Sequence, residues 1–341
     1  MNDALIYERK RGRTMLVVEG RLEKDTFFKS VLYSFPELDI DPEDIVVYGT
    51  NIYNLINNIK DEYGDRWYDD DIDIPFVYSV HEGIEPKLYK ADFKNIFLIF
   101  DFERQDPFYD EESIRHMNEV FNDASDNGRL FLNYPMLESY MDADINAEKD
   151  KLHPFDKVYM ERKASVSGCI GKIYKNSIRY PELKKLFSFK NYLENELKSH
   201  SLGNASDECL NKILENKNAD EMTIKCIFEE CGYAGNRQVC CQIAAELNRQ
   251  CKGWGSYREK LRWVILRLIY NNICKASMIQ FGNPDVSISQ TVNTYNELES
   301  MQILLKQIQF SQDNKSGFVY ALNTGLFIVP DYNSNLISDI T

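Results

Sequence analysis

Two apolar runs in this chain end in carboxylates, and these acids have the types and spacing best suited to chemistry. Met15–Val18 is followed by Glu19, and Ile96–Phe100 is followed by Asp101 and Glu103. A continuous apolar run of this kind is typical of a strand buried on both faces. Side chains just past the carboxyl ends of parallel strands face the crevice where open α/β sheets bind ligands. Because carboxylate oxygens suit Mg²⁺ and Mn²⁺, the pattern predicts a divalent metal site.

The elements that position these acids alternate between strands and helices along the first part of the chain. Apolar runs and turn residues predict strands at 14–19, 45–48, 75–80, 96–100 and 129–133, and helices at 23–32, 51–59, 111–124 and 135–140. Alternation of this kind is typical of a parallel α/β sheet flanked by helices. We therefore place an α/β catalytic domain at residues 1–150.

The remainder of the chain, residues 151–341, has a different pattern. Helical spacing dominates 182–275, and one amphipathic stripe consists of Leu261, Val264, Ile265, Leu268 and Ile269. Two short runs near the end, at 317–323 and 326–329, predict a terminal β-hairpin. We expect this mainly helical region to contact substrate, a partner or a second copy in a homodimer.

Composition limits the classes of function. The chain has 341 residues and a formal net charge of -14, which argues against uniform coating of nucleic acid but allows a local basic surface. Its eight cysteines form no CxxC pair and favour reduced, buried thiols over a disulfide framework or a zinc site. The polar start and the absence of a long apolar run predict a soluble, cytoplasmic protein without a membrane segment.

Three segments, taken in order over residues 14–142, resemble the Toprim domain of topoisomerases, primases, overcoming-lysogenization-defect (OLD) nucleases and small RNA-processing enzymes. Val17-Val18-Glu19-Gly20 is similar to the first motif of that family. Phe100-Asp101-Phe102-Glu103 is similar to the second, with Glu103 where the family has a second Asp. Leu132 to Ser139, which includes Glu138, resembles the strand-to-helix segment of OLD-type nucleases.

The resemblance implies roles for individual residues. Glu19 is expected to be a catalytic acid/base or metal ligand, and Asp101 and Glu103 are expected to hold Mg²⁺ or Mn²⁺ and to act in catalysis. Further metal ligands are expected at Glu138 and at Glu23 or Asp25. OLD-type nucleases carry a lysine downstream of the helix-borne Glu, and Lys163 is the candidate for that catalytic lysine.

Positive charge for binding phosphates is predicted in two places. One contains Arg162 and Lys172, close to Lys163 in the sequence. The other contains Arg258 and Arg262, interleaved with Trp254, Tyr257 and Trp263. Arginines beside aromatic rings are used to contact single-stranded or structured nucleic acid, although a solvated helix face with its tryptophans in the core is an equally simple interpretation.

The predicted function is a metal-dependent Toprim nuclease, an endonuclease that hydrolyses phosphodiester bonds of RNA or DNA. The layout of a Toprim domain with a helical region and no ATPase of its own resembles the effector subunit of two-gene (PARIS-like) antiphage systems. That resemblance implies a separate ABC-type ATPase partner encoded nearby and a role in antiviral defence. A non-catalytic Toprim-fold interaction module and a Toprim RNA-processing enzyme are the alternatives.

Overall fold

The computed structural model describes residues 13–143, 157–159, 180–199, 207–216, 219–234, 236–312 and 317–338. The chain divides into two compact units. The first contains the described residues of Met1–Lys24, Pro36–Tyr180 and Arg267–Thr341, and the second those of Asp25–Phe35 and Pro181–Leu266.

A five-stranded sheet lies in the first unit, with its strands in the order β2-β1-β3-β5-β4. The strands are β1 (Arg13–Val18), β2 (Ile45–Val47), β3 (Phe93–Asp101), β4 (Asn122–Asp123) and β5 (Gly128–Asn133). β1 pairs in parallel with β2 and with β3, β3 pairs in parallel with β5, and β4 runs antiparallel to β5. The predicted α/β class with a mainly parallel sheet is confirmed.

The two runs that end in acids form the buried centre of this sheet. Every residue of Met15–Val18 and Ile96–Phe100 is at most 2% exposed. Because successive side chains of a strand point to opposite faces, such burial requires cover on both sides of the sheet. The acids Glu19 and Asp101, which follow these runs, are therefore polar residues at the end of an apolar layer.

The described residues contain α-helices in both compact units. They are α1 (Lys29–Ser34), α2 (Ile52–Tyr63), α3 (Ile74–His81), α4 (Glu111–Val120), α5 (Tyr180–Ser199), α6 (Asp207–Leu214), α7 (Glu221–Glu230), α8 (Arg237–Gln250), α9 (Tyr257–Phe281), α10 (Thr291–Glu297), α11 (Ser300–Ser311) and α12 (Ile328–Tyr332). Side chains at the N-termini of several of them accept backbone hydrogen bonds; among these, Asn51 caps α2, Asp73 caps α3 and Asp110 caps α4. Such caps fix where each helix begins.

The strand predicted at 75–80 is wrong, since this segment lies in helix α3. Its apolar run is short enough to fit either element, and the local chemistry favours the helix. The Asp73 carboxylate accepts a hydrogen bond from Phe76 N at 2.9 Å, and Pro75 occupies the first turn, where its missing N–H costs nothing. The predicted helix over 135–140 is a 3₁₀ turn, Leu137–Met141.

The described part of the second unit is helical. Ser30 Oγ donates to Phe187 O at 2.9 Å and Tyr257 Oη donates to Leu186 O at 2.7 Å, so these bonds join three segments that are distant in the sequence. The rings of Phe27 and Phe187 stack at 5.4 Å between centroids. The predicted mainly helical character of the later chain is therefore confirmed for these residues.

The predicted terminal β-hairpin is wrong in its second strand. β7 (Phe318–Tyr320) is present, but it pairs antiparallel with β6 (Lys157–Tyr159). Residues 325–332 are helical, because Asn323 Oδ1 accepts from Leu326 N at 3.0 Å and so begins a helical turn.

The predicted domain boundary at residue 150 stays a prediction, while the first compact unit contains residues from both sides of it. Tyr134, next to β5, and Leu322, next to β7, exchange backbone hydrogen bonds of 2.8 Å. Residues from Arg267 onward consequently belong with the sheet. In the described part of the chain, no helix is both long and apolar enough to cross a membrane.

Candidate functional site

The carboxyl ends of β1 and β3 bring Glu19 and Asp101 together. The parallel register pairs Val18 with Ile99, so Glu19 and Asp101 follow one and two residues beyond that pair. Oε2 of Glu19 accepts a hydrogen bond from the backbone N of Asp101 at 3.2 Å. The two acids lie 82 residues apart in the sequence, and the structure confirms that they share one edge of the sheet.

Asn133 holds Asp101 from the other side. Asp101 is paired with Asn133 at the end of β5, and Nδ2 of Asn133 donates to Oδ1 of Asp101 at 3.3 Å. Oδ1 of Asn133 accepts from Gly325 N at 3.0 Å, which fixes the orientation of the amide. Sequence reasoning missed Asn133, although its signal was present: it is a polar residue at the end of a buried strand.

Glu23 approaches the same edge because Gly20 has no side chain. A Cβ placed on Gly20 would lie 2.6 Å from Oε2 of Glu23, which is closer than real Cβ contacts. The glycine of the Glu19-Gly20 pair therefore leaves room for the Glu23 carboxylate. By contrast, Asp25 lies in the second unit, where its carboxylate is 3.3 Å from Nζ of Lys29.

Glu138 completes the group that we call the acidic cluster, namely Glu19, Glu23, Asp101 and Glu138. It lies in the 3₁₀ turn after β5 and is partly buried. Its charge raises the pKa values of Glu19, Glu23 and Asp101, so all four acids lie within electrostatic reach of one another.

Glu103 lies at the margin of the acidic cluster. Its Oε2 accepts from Nδ2 of Asn51 at 3.3 Å, and the same Nδ2 donates to Oδ2 of Asp106 at 2.8 Å. The negative charge of Glu103 contributes to the raised pKa of Glu19. Asn51 and Asp106 are further neighbours that sequence reasoning missed.

Burial and mutual repulsion dominate the electrostatics of the acidic cluster. Burial is the largest cause that raises the pKa of Glu19; the hydrogen bond from Asp101 N opposes it, the carboxylates of Glu103, Glu23 and Glu138 add to it, and together they bring the pKa to about 8. Burial, followed by the charge of Glu19, raises the pKa of Asp101 well above its usual value. Several carboxyls crowded at a half-buried edge are costly when ionised, and a cation among them removes that cost.

Carboxylate oxygens suit a hard divalent cation, although the acidic cluster does not form a complete set of metal ligands. Among the residues that the structure describes, no three His, Cys, Asp or Glu side chains are arranged to hold a metal ion as they stand. Mg²⁺ needs less than this, because it usually keeps several waters and uses one or two carboxylates together with substrate phosphates. Glu19 and Asp101 supply two such carboxylates.

The predicted basic residues fall into two groups. Arg162, Lys163 and Lys172 lie outside the described residues. In the second unit, the guanidinium of Arg258 lies 4.5 Å from the centroid of the Tyr33 ring and 2.9 Å from Oε1 of Glu215. That of Arg262 lies over the Phe35 ring and donates to Ser34 O. Both arginines are engaged within their unit, and nucleic-acid contact by them stays a prediction.

No protein-family model matches this chain, and searches of curated proteins and of solved structures return no match.

Proposed function

We propose that this protein is a metal-dependent nuclease that hydrolyses phosphodiester bonds of RNA or DNA at the acidic cluster. The observation that carries the proposal is the contact between Glu19 and Asp101. Two parallel strands deliver one carboxylate each to the same edge of the sheet, where Oε2 of Glu19 accepts a hydrogen bond of 3.2 Å from the backbone N of Asp101. Ligands of open α/β sheets bind at this edge, and phosphodiester cleavage is chemistry that converging carboxylates support.

Glu19 and Asp101 would hold the first Mg²⁺ or Mn²⁺, with Glu23 and Glu138 as further ligands. A bound divalent cation supplies charge stabilisation to a phosphoryl group and lowers the pKa of a bound water. Glu103 would act at the margin, where Asn51 orients its carboxylate. Asn133 positions Asp101 and has no direct part in the chemistry.

The resemblance of these segments to the Toprim domain supports the same proposal, since Glu19, Asp101 and Glu103 fall in its two acidic motifs. It further suggests a regulated effector of antiphage defence, with an ABC-type ATPase as partner and a homodimer as a possible assembly. Lys163 would serve as the catalytic lysine, and Arg162 and Lys172 would contact the phosphates of the substrate.

Cleavage of labelled single-stranded and double-stranded RNA and DNA, with Mg²⁺ or Mn²⁺ and with chelator, tests the proposal. Activity should require the metal and should fall at least about 100-fold in Glu19→Gln and in Asp101→Asn, because each variant removes a charged ligand. Glu119→Gln is the matched control, since Glu119 is an exposed acid on helix α4.

Cleavage that persists in Glu19→Gln at the wild-type rate would refute the assignment. A protein that binds Mn²⁺ through these residues but cleaves none of the four substrates would instead be an interaction module. Preference for one structured RNA over all other substrates would identify an RNA-processing enzyme.

A further inference from the structure

A cavity of about 490 Å³ lies in the first unit and is separate from the acidic cluster. One wall is formed by Arg129–Leu132 of β5, and the others by helix α10 and by the segment from Phe327 to Ser334. Its volume is within the range of sites for small molecules, and the proposed nuclease chemistry does not use it.

An arginine and an aspartate face each other in the lining. Nε of Arg129 lies 3.4 Å from Oδ1 of Asp331, and Tyr295 Oη is 3.3 Å from the same oxygen. The Arg129 contact lacks the geometry of a hydrogen bond, so among the described residues the buried Nε–H has no acceptor. Both contacts of Asp331 use Oδ1, so among the described residues Oδ2 has no partner and is able to accept from a ligand.

An amide adds a further donor. Oδ1 of Asn118 accepts from Ser300 Oγ at 3.0 Å, and both residues line the cavity. The Nδ2 group of Asn118 is therefore oriented by this bond and, in the part of the chain that the structure describes, is available as a donor. The lining consequently offers fixed donors and a fixed acceptor to a ligand that carries both kinds of group.

Aromatic side chains also line the cavity. Phe131, Tyr134, Phe327 and Tyr332 line it together with the polar groups. Its charged lining residues, Arg129 and Asp331, oppose each other, so the lining offers no uncompensated positive charge to a polyphosphate. Rings beside fixed amide, carboxylate and guanidinium groups suit a neutral, planar heterocycle with donors and acceptors on its edge.

We propose that this cavity binds a nucleobase, supplied either by a free nucleoside or by an unpaired base of a strand. Asp331 and Asn118 would contact the edge of the base, and the aromatic rings would contact its faces. A ligand of nucleoside size in such a cavity should bind with a dissociation constant on the order of 10–100 μM.

Titration calorimetry of the full chain in chelator, without any cleavage, tests the proposal independently of the nuclease activity. The probes are adenosine, guanosine, cytidine, uridine and short single-stranded oligonucleotides. Asn296→Trp should block the cavity, because Asn296 is an exposed lining residue on helix α10. Asn293→Trp is the matched control, since Asn293 is exposed on the same helix and does not line the cavity.

Saturable binding of a nucleoside that Asn296→Trp abolishes and Asn293→Trp retains would identify the free ligand as the source. Binding of the oligonucleotides alone, with the same response to the two variants, would identify a base within a strand. Asp331→Asn should weaken either interaction about tenfold or more, because it removes a charged acceptor. Absence of binding by every probe at up to about 1 mM, or equal binding by Asn296→Trp and wild type, would overturn the proposal.

Discussion

Replacing Glu19 by Gln should stabilise the metal-free protein while removing its proposed activity. The carboxyl is held at a half-buried edge, where burial and the charges of Glu103, Glu23 and Glu138 raise its pKa to about 8. A glutamine has nearly the same shape, and its Oε1 can accept the hydrogen bond that Asp101 N now donates to Glu19. The substitution therefore removes the electrostatic cost and keeps the contact.

The size of this stabilisation follows from the difference between the pKa of Glu19 in the folded protein and its pKa in the unfolded chain. Because the folded pKa is the higher one, the acid weakens the fold progressively as the pH rises from the unfolded pKa to the folded pKa. A rise from 4.5 to about 8 sets a ceiling of about 5 kcal/mol above pH 8, at about 1.4 kcal/mol per pKa unit. Water that reaches the ionised side chain reduces this cost. We therefore expect the free energy of unfolding of Glu19→Gln to exceed that of wild type by about 2 kcal/mol at pH 8.

Urea unfolding in chelator, repeated between pH 4.5 and 8.5, measures this gain. The difference in the free energy of unfolding between Glu19→Gln and wild type should be near zero at the lowest pH and should grow towards about 2 kcal/mol, or about 3 °C in the midpoint of thermal unfolding. Glu119→Gln, an exposed acid, should show no such trend. Added Mn²⁺ should stabilise wild type and leave Glu19→Gln unchanged, since a ligand stabilises only the state that binds it.

Two results would refute this reasoning. The first is a Glu19→Gln protein that is no more stable than wild type at pH 8 in chelator. The second is a gain in stability that is the same at every pH, because a pH-independent gain cannot come from the ionisation of Glu19.

Three further predictions concern other contacts. Gly20→Ala should displace the Glu23 carboxylate, which lies 2.6 Å from the position of the new Cβ, and should weaken Mn²⁺ binding about tenfold by calorimetry; an unchanged affinity would exclude Glu23 as a ligand. Lys275→Met should lower the free energy of unfolding, measured in urea, by about 3–5 kcal/mol. The Lys275 side chain is only 3% exposed and its Nζ is 2.7 Å from Oδ2 of Asp142, so the substitution leaves that carboxylate unpaired. The double variant Lys275→Met/Asp142→Leu should recover most of that loss, and failure to do so would show that the cost is not the unpaired carboxylate. Tyr257→Phe should lower the free energy of unfolding by about 1 kcal/mol, since it removes the buried hydrogen bond of 2.7 Å from Tyr257 Oη to Leu186 O; a neutral effect would mean that this bond makes no net contribution to stability.

The sequence by itself determined the strands and their acidic ends. The runs at Met15–Val18 and Ile96–Phe100 are apolar throughout, and such runs are typical of strands buried on both faces. Parallel pairing then places both carboxyl ends at one edge, so the meeting of Glu19 and Asp101 was predictable. The segment at 75–80 was not, because a short apolar run fits either element until the Asp73 cap decides it.

Only the tertiary structure decided which neighbours complete the site. Asn133 reaches Asp101 because β5 lies beside β3, and Asn51 reaches Glu103 across 52 residues of chain. The cavity beside β5 likewise requires Arg129 and Asp331 to meet, although 202 residues separate them. Sequence periodicity and local chemistry indicate which helices and strands form. The positions of their side chains relative to one another depend on strand order and packing, which no single segment contains.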